Sequence, residues 1–199
     1  MNCFQKFLLR VVGFIYPTKV FGTENIPSGG AVLVCNHYRF IDPVNLARIF
    51  INESPSFVAK KELFKKKLFS KILKSFGGIP VDREKPDFST LITILKVLKN
   101  DRKLIIFPEG TRNKTGTNEL QPLKDGAAIF SIKLKKPILP IMMLNKPRIF
   151  RKTKVFIGKP FDFSSHYDKK LDDETLKKLN EEIYNNMVNV ISNVKSGKK

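Results

Sequence analysis

A short apolar run near the start of the chain constrains the fold more than any other feature. Residues Ala31–Cys35 are all apolar, and such a run is typical of a strand that is buried on both faces of a sheet. Asp42 and Pro43 follow after a polar turn. Proline suits the first helical turn because it lacks the N–H that this turn leaves unpaired. The pattern therefore predicts a strand, a turn and then a helix with Asp42 as its N-cap.

Short apolar segments alternate with helical patterns along the rest of the chain. The predicted strands are 19–22, 31–35, 56–59, 77–83, 103–107, 138–144 and 154–157. The predicted helices are 42–50, 60–76, 88–98, 125–134 and a last one capped by Asp172 or Asp173. This alternation, without an internal repeat or a linker, indicates an α/β fold. We predict a single domain with a largely parallel, twisted central sheet flanked by helices.

The first residues predict a short amphipathic helix. Its apolar stripe consists of Phe4, Phe7, Leu8, Val11, Val12 and Ile15, and the helix ends before Pro17. The same stripe is typical of a helix docked on a domain and of one lying in a membrane interface, so both interpretations stay open. We divide the chain into this segment, 1–17, and a domain over 18–199.

The charge of the chain predicts an anionic partner. Lys and Arg number 37 against 18 Asp and Glu, which gives a net charge of +19. Nucleic acid, anionic lipid and phosphorylated substrates all fit this charge. The lysines of the predicted helix 60–76 form either an ordinary solvated face or a basic patch. No apolar run reaches the ~18–20 residues that span a bilayer, and two Cys without a signal peptide favour a reducing cytosol.

His37 and Asp42 are candidate catalytic residues. An imidazole has a pKa of about 6.5, and a carboxylate on its other nitrogen fixes the tautomer and stabilises the imidazolium. The chain has no Gly-x-Ser-x-Gly segment, and Cys35 lies within the buried strand, so a substrate hydroxyl is the expected nucleophile. The alternative is that Asp42 only caps a helix and His37 is an ordinary loop residue. No metal site is predicted, because His166 is the only other histidine.

A second polar segment begins at Glu109, after another apolar strand. Arg112 can hold a phosphate through two hydrogen bonds, and Gly110 lets the backbone approach it. Glu109 can accept a hydrogen bond from a polyol hydroxyl, or it can form an internal ion pair with Arg112. Arg83 is likewise either a second phosphate contact or half of a structural pair with Asp82.

Four ordered blocks resemble the glycerolphosphate acyltransferase family, and most of all its branch that acylates 1-acylglycerol-3-phosphate. The blocks are Asn36-His37-x4-Asp42, Gly78–Arg83, Phe107–Arg112 and Lys136–Ile141. Further matches are Phe21–Pro27, Val58–Leu63 and Lys124-x-Gly126-Ala127. The resemblance extends from about Phe21 to Pro160, and it implies that 18–199 is an acyltransferase domain.

The resemblance implies a role for each site residue. His37 and Asp42 are implied as a His-x4-Asp catalytic pair for acyl transfer from a thioester. The implied substrate-binding residues are Glu109, Gly110, Thr111, Arg112, Arg83 and Lys60. Family members usually carry a small residue, often serine, where this chain has Arg39, and this extra cation could favour a different anionic head group.

We therefore expect a peripheral enzyme of phospholipid biosynthesis on the cytoplasmic face of the membrane. It would transfer a fatty acyl group from acyl-CoA or acyl carrier protein to a lysophospholipid. The first expected acceptor is the sn-2 hydroxyl of 1-acyl-glycerol-3-phosphate. The expected partners are these substrates and an anionic membrane surface, without nucleic acid, cofactor or metal. The alternatives are an acyltransferase-like lipid-binding protein without activity and a basic nucleic-acid-binding protein.

Overall fold

The computed structural model describes residues 3–53, 55–82, 88–115 and 117–195. Within these ranges the strands are β1 Thr18–Phe21, β2 Ala31–Cys35, β3 Ser56–Lys60, β4 Gly78–Val81, β5 Lys103–Ile106, β6 Ile138–Leu144 and β7 Thr153–Ile157. The helices are α1 Cys3–Ile15, α2 Asp42–Ile49, α3 Lys67–Ser75, α4 Phe88–Lys99, α5 Gly126–Leu134 and α6 Asp173–Lys195.

All seven strands belong to one sheet with the order β1-β7-β6-β2-β5-β3-β4. Neighbouring strands are parallel except for β6 and β7, which pair antiparallel. The prediction of a single α/β domain with a largely parallel sheet is confirmed. The parallel arrangement brings the carboxyl ends of β2, β3, β5 and β6 to one edge of the sheet, where ligands bind in open α/β folds.

The central strand β2 explains why its sequence is apolar without interruption. All five of its side chains are fully buried. Val32 and Val34 pack in a core with α4, α5 and α6, whereas Leu33 and its two strand neighbours on the same face pack in a second core with α1, α2 and α3. A strand that is covered by helices on both faces has no polar face.

The prediction of one helix over 60–76 is wrong. Lys60 ends β3, a 3-10 turn covers Lys61–Phe64, and α3 begins only at Lys67. Lys60 is paired with Val81 of β4. It therefore belongs to the sheet, although the spacing of the apolar residues that follow it predicted a helix. In α3, Leu68 is 75% exposed whereas Leu73 is buried, so the apolar side chains of this helix face solvent in part.

Helix α1 packs on the domain and also exposes apolar side chains. Leu9, which is outside the predicted stripe, is 2% exposed and lies in the core with α2. Gly13 lets α1 approach α2 closely, because a Cβ at this position would lie 3.1 Å from a guanidinium nitrogen of Arg48. Phe7 and Phe14 are 60% and 74% exposed. The described helices include none that is both long and apolar enough to span a membrane.

Candidate active site

The turn that follows β2 is fixed to the neighbouring strand β6 by the side chain of Asn36. Its Nδ2 donates to the carbonyl oxygen of Met143 at 3.0 Å, and its Oδ1 accepts from the Met143 N–H at 2.8 Å. Since Cys35 is paired with Ile141, this amide continues the β2–β6 hydrogen bonding beyond the end of the strand. The residue that immediately precedes His37 is therefore held in place and is 3% exposed.

His37 and Asp42 contact each other directly. The Nδ1 of His37 lies 2.9 Å from Oδ2 of Asp42. The same oxygen accepts the backbone N–H groups of Tyr38 at 2.7 Å and Arg39 at 2.6 Å, and the Asp42 side chain is fully buried. An ionised carboxylate only accepts hydrogen bonds. The arrangement therefore places the imidazole proton on Nδ1 and leaves a lone pair on Nε2.

The prediction that Asp42 is the N-cap of α2 is wrong. The helix begins at Asp42 itself, and the flanking residue Ile41 makes no side-chain cap. The first amides of the helix, those of Val44 and Asn45, donate to the carbonyl oxygen of Ile41. The carboxylate instead accepts from the turn on its N-terminal side, because that turn folds back over Asp42 and points three N–H groups at one oxygen.

The segment after β5 holds the backbone of His37 from a second side. Glu109 Oε1 accepts the His37 N–H at 3.0 Å, and Oε2 accepts the Gln121 N–H at 3.0 Å. The carbonyl oxygen of His37 accepts the Asn113 N–H at 2.6 Å. Burial raises the pKa of Glu109 above its usual range, although the two backbone donors and His37 act in the opposite direction. The predicted alternative of a Glu109–Arg112 ion pair is not formed, because both oxygens of this buried carboxylate face backbone amides.

The other ring nitrogen of His37, Nε2, lies on the side of the imidazole that does not face Asp42. The ring of His37 stacks on Phe107 with 4.2 Å between ring centroids, and its side chain is 14% exposed. Among the described residues, none forms a hydrogen bond with Nε2. A base at this nitrogen is therefore available to a ligand at the carboxyl edge of the sheet.

Gly110 and Arg112 belong to the segment between Glu109 and Asn113, which both contact the backbone of His37. Gly110 has a left-handed backbone with φ of 67°, and a Cβ there would lie 2.8 Å from Cε of Lys124. The left-handed backbone favours glycine at this position, whereas the flexible Lys124 side chain could move away from a Cβ. Thr111 and Arg112 are exposed, and within the described part of the chain Arg112 makes no ion pair. Its guanidinium is therefore free to bind a ligand.

Lys60 and Arg83 are the remaining two predicted site residues. Lys60 lies at the carboxyl end of β3, with Nζ 3.7 Å from Oε2 of Glu62 and its side chain half exposed. Arg83 lies outside the described residues. Asp82, considered as its structural partner, forms an ion pair with Lys61.

Sequence reasoning missed two residues that shape the loop after Arg112. Asn113 is 3% exposed; its Nδ2 donates to the Glu119 carbonyl oxygen at 2.7 Å, and its Oδ1 accepts the Thr115 N–H at 2.9 Å. The buried Tyr38 donates its hydroxyl to Oδ1 of Asn118 at 2.8 Å, and burial raises its pKa to about 12. An isolated asparagine in a loop carries too weak a sequence signal to be singled out.

Cys35 is inert, as its position in the predicted strand indicated. Its thiol is fully buried, and burial raises its pKa well above the usual value. The thiolate, which is the nucleophilic form, is therefore disfavoured. In the described ranges, no three His, Cys, Asp or Glu side chains form a group that could hold a metal ion.

Comparison with known proteins points to one family. A family model described as "Acyltransferase" matches residues 17–144. The chain is 36% identical over 148 residues to the 1-acyl-sn-glycerol-3-phosphate acyltransferase of Bacillus subtilis, covering 71% of this chain and 72% of that protein. It is 34% identical over 163 residues to the protein of the same name from Streptococcus pneumoniae, covering 78% of this chain and 59% of the relative.

A solved structure has the same fold. The crystal structure of the 1-acyl-sn-glycerophosphate acyltransferase from Thermotoga maritima superposes with a TM-score of 0.64 at 24% identity. The match covers 94% of this chain and 80% of that one. The His37 turn, the Glu109 segment and every strand of the sheet except β7 lie within residues 17–144.

Proposed function

The chain belongs to the acyltransferase family, and on that premise we propose that it acylates a lysophospholipid. The proposed acceptor group is the sn-2 hydroxyl of 1-acyl-glycerol-3-phosphate, which the names of its relatives support. The aligned part covers 72% and 59% of two of these relatives. The observation that carries the proposal is the 2.9 Å contact between His37 Nδ1 and Asp42 Oδ2, at the edge of the sheet that binds ligands.

In the proposed mechanism His37 is the general base. Asp42 keeps the proton on Nδ1, so Nε2 removes the proton of the acceptor hydroxyl as its oxygen attacks the thioester carbonyl carbon. The tetrahedral intermediate collapses with cleavage of the carbon–sulfur bond, and the departing thiolate takes the proton from Nε2. The new ester and the free thiol leave the histidine neutral again. Asp42 stabilises the imidazolium that exists between the two proton transfers.

Arg112 is the proposed phosphate contact. Its exposed guanidinium can form two parallel hydrogen bonds with phosphate oxygens, and the left-handed Gly110 turns the backbone toward this ligand. We propose that Thr111 and Lys60 add further contacts, with Arg83 as an additional cation. Glu109 also has a structural role, because its oxygens accept the backbone N–H groups of His37 and Gln121. Each oxygen keeps a lone pair for the proposed contact with a glycerol hydroxyl.

The acyl donor is proposed to be a thioester on coenzyme A or on acyl carrier protein. Both donors are anionic and complement a chain with a net charge of +19. The thioester already supplies an activated acyl group, so the proposed sequence of steps requires neither a cofactor nor a metal.

A peripheral position on the cytoplasmic face of the membrane is part of the proposal. The acceptor and the product both carry acyl chains, so the site must meet a lipid surface. The exposed Phe7 and Phe14 of α1 support such a contact, since an apolar helix face that the protein does not cover can enter the interface.

The test is a panel of lysophospholipids incubated with acyl-CoA and with acyl carrier protein donors, with products identified by mass spectrometry. We expect a diacyl product from 1-acyl-glycerol-3-phosphate and much less from acceptors without the terminal phosphate monoester. The His37→Ala variant should form no product while its melting temperature stays close to that of the wild type. Transfer by His37→Ala at the wild-type rate would refute the mechanism.

A further inference from the structure

The connection between β6 and β7 exposes two large apolar side chains next to cations. Ile149 is 57% exposed and Phe150 is 66% exposed. Arg148, Arg151 and Lys152 surround them and are also exposed. We call the segment Arg148–Lys152 the β6–β7 tip. It contains no acidic residue, so its charge complements only an anionic surface.

The backbone of the tip presents Phe150 outward. Arg148 and Arg151 form an isolated antiparallel bridge, with the Arg151 N–H donating to the Arg148 carbonyl oxygen at 3.2 Å. Phe150 has a left-handed backbone with φ of 55°. A bulky residue in this conformation is uncommon, and such residues concentrate at functional sites.

The tip is joined to the exposed face of α1. The Phe150 N–H donates to the carbonyl oxygen of Ile15 at 2.7 Å. The ring of Phe150 meets that of Phe14 edge to face, with 5.6 Å between centroids. Phe14 is itself 74% exposed, so the contact between Phe14 and Phe150 joins the exposed apolar side chains of the two segments.

This surface lies at the same edge of the sheet as the candidate active site. β6 runs parallel to β2, so its carboxyl end and the tip beyond it are on the side of His37. Asn118 connects the two regions, because its Oδ1 accepts from both the Tyr38 hydroxyl and the N–H of Asn145, the residue that follows β6. A partner that covers the tip therefore lies beside the opening of the site.

We propose that the β6–β7 tip inserts Ile149 and Phe150 into the interface of an anionic bilayer, as a second membrane contact beside α1. Apolar side chains flanked by arginine and lysine fit the boundary between acyl chains and anionic head groups. A purely acidic protein surface would complement the cations but offer no apolar environment for Ile149 and Phe150. The inference deepens the proposed function and rests on it only for the lipid nature of the acceptor.

The chain contains no tryptophan, so a Phe150→Trp variant carries a single fluorophore at the tip. We expect its emission to shift to the blue, and to be quenched by brominated lipids, when vesicles of phosphatidylcholine and phosphatidylglycerol are added. The matched control is Val188→Trp, because Val188 is 38% exposed on α6, which covers the opposite face of the sheet. Emission from the control should not change.

A second variant tests whether the insertion contributes to affinity. Ile149→Ser combined with Phe150→Asn removes both apolar groups, and asparagine tolerates the left-handed backbone. We expect vesicle partitioning to weaken about tenfold or more, as burial of apolar area predicts, while Val188→Ser binds like the wild type. If the double variant loses stability, the tryptophan experiment decides alone.

Three results would overturn the inference. One is unchanged Phe150→Trp emission on vesicles that sediment with the protein. Another is wild-type vesicle affinity of the folded double variant. The third is a double variant that loses transfer from acyl carrier protein while keeping its vesicle affinity, because the tip would then bind the carrier. Absence of acyl transfer in the wild type together with a blue shift of Phe150→Trp would instead refute the proposed function and support membrane insertion.

Discussion

Replacing Asp42 by asparagine should separate its electrostatic role from its structural one. The variant keeps the shape of the side chain and removes its charge. In the proposed mechanism the charge of Asp42 stabilises the imidazolium of His37, whose Nδ1 lies 2.9 Å from Oδ2. Two unit charges about 4 Å apart interact by about 4 kcal/mol at an effective dielectric constant of 20. Because about 1.4 kcal/mol corresponds to a factor of ten in rate, turnover should fall about 10³-fold.

The same substitution should also destabilise the fold. Oδ2 accepts three hydrogen bonds, from His37, Tyr38 and Arg39, and a charged acceptor forms stronger bonds than a neutral amide oxygen. Burial of an N–H group of the asparagine amide should also destabilise the variant. The removal of a buried charge acts in the opposite direction. We expect a net loss of about 1–3 kcal/mol in the free energy of unfolding. An Asp42 that only capped α2 would cost little, since asparagine caps as well as aspartate.

The assay combines steady-state kinetics with urea unfolding for Asp42→Asn, His37→Ala and the double variant. If Asp42 acts through His37, the double variant should be no slower than His37→Ala alone, because residues that act as one unit are not additive. If His37→Ala keeps a residual transfer rate, a further loss of about 10³-fold in the double variant would refute this reasoning. So would an Asp42→Asn enzyme with wild-type turnover.

Three further predictions concern Arg112, α1 and Glu109. Arg112→Lys keeps the charge but loses the planar fork, so KM for the acceptor should rise much more than KM for the donor; equal effects on both would make Arg112 structural. Phe14→Ser should weaken vesicle sedimentation without changing the melting temperature, whereas Leu9→Ala, at a buried position, should cost about 2–5 kcal/mol in the free energy of unfolding. The raised pKa of Glu109 means that this side chain contributes to the free energy of unfolding at low pH. The contribution is fully present below the pKa that Glu109 has in the unfolded chain, and it is lost as pH rises through the pKa in the folded protein. The unfolding free energy of the wild type relative to Glu109→Gln should therefore fall as pH rises from about 4.5, and a flat difference would contradict this.

The central strands of the sheet could be predicted because they are buried on both faces. β2 and β6 were predicted with their observed bounds, Ala31–Cys35 and Ile138–Leu144, since an uninterrupted apolar run leaves little choice of structure. The prediction of a helix over 60–76 failed because its sequence pattern does not determine one structure. Its lysines and apolar residues fit a helix by spacing alone, and only the pairing of Lys60 with β4, which is a tertiary contact, limits α3 to its second half.

The residue types of the candidate site could be predicted from the sequence, whereas most of its hydrogen bonds could not. His37 and Asp42 stood out because an imidazole and a carboxylate follow a strand. The roles of Asn36 and Asn113 depend on partners far along the chain, which spacing does not reveal. Asp42 was assigned to the wrong donors for a similar reason, because a carboxylate before a helix usually accepts from the first turn and here it accepts from the residues that precede it.

The way in which His37 is fixed has a consequence for how the protein acquires activity during synthesis. Its N–H and carbonyl groups are held by Glu109 and Asn113, and its preceding residue is held by Met143. A nascent chain that has released only the first hundred residues already contains both His37 and Asp42 but none of these supports. Acyl-transfer activity should therefore appear late, after β6 has been synthesised and has joined the sheet. A partly synthesised chain at a membrane surface would be inactive.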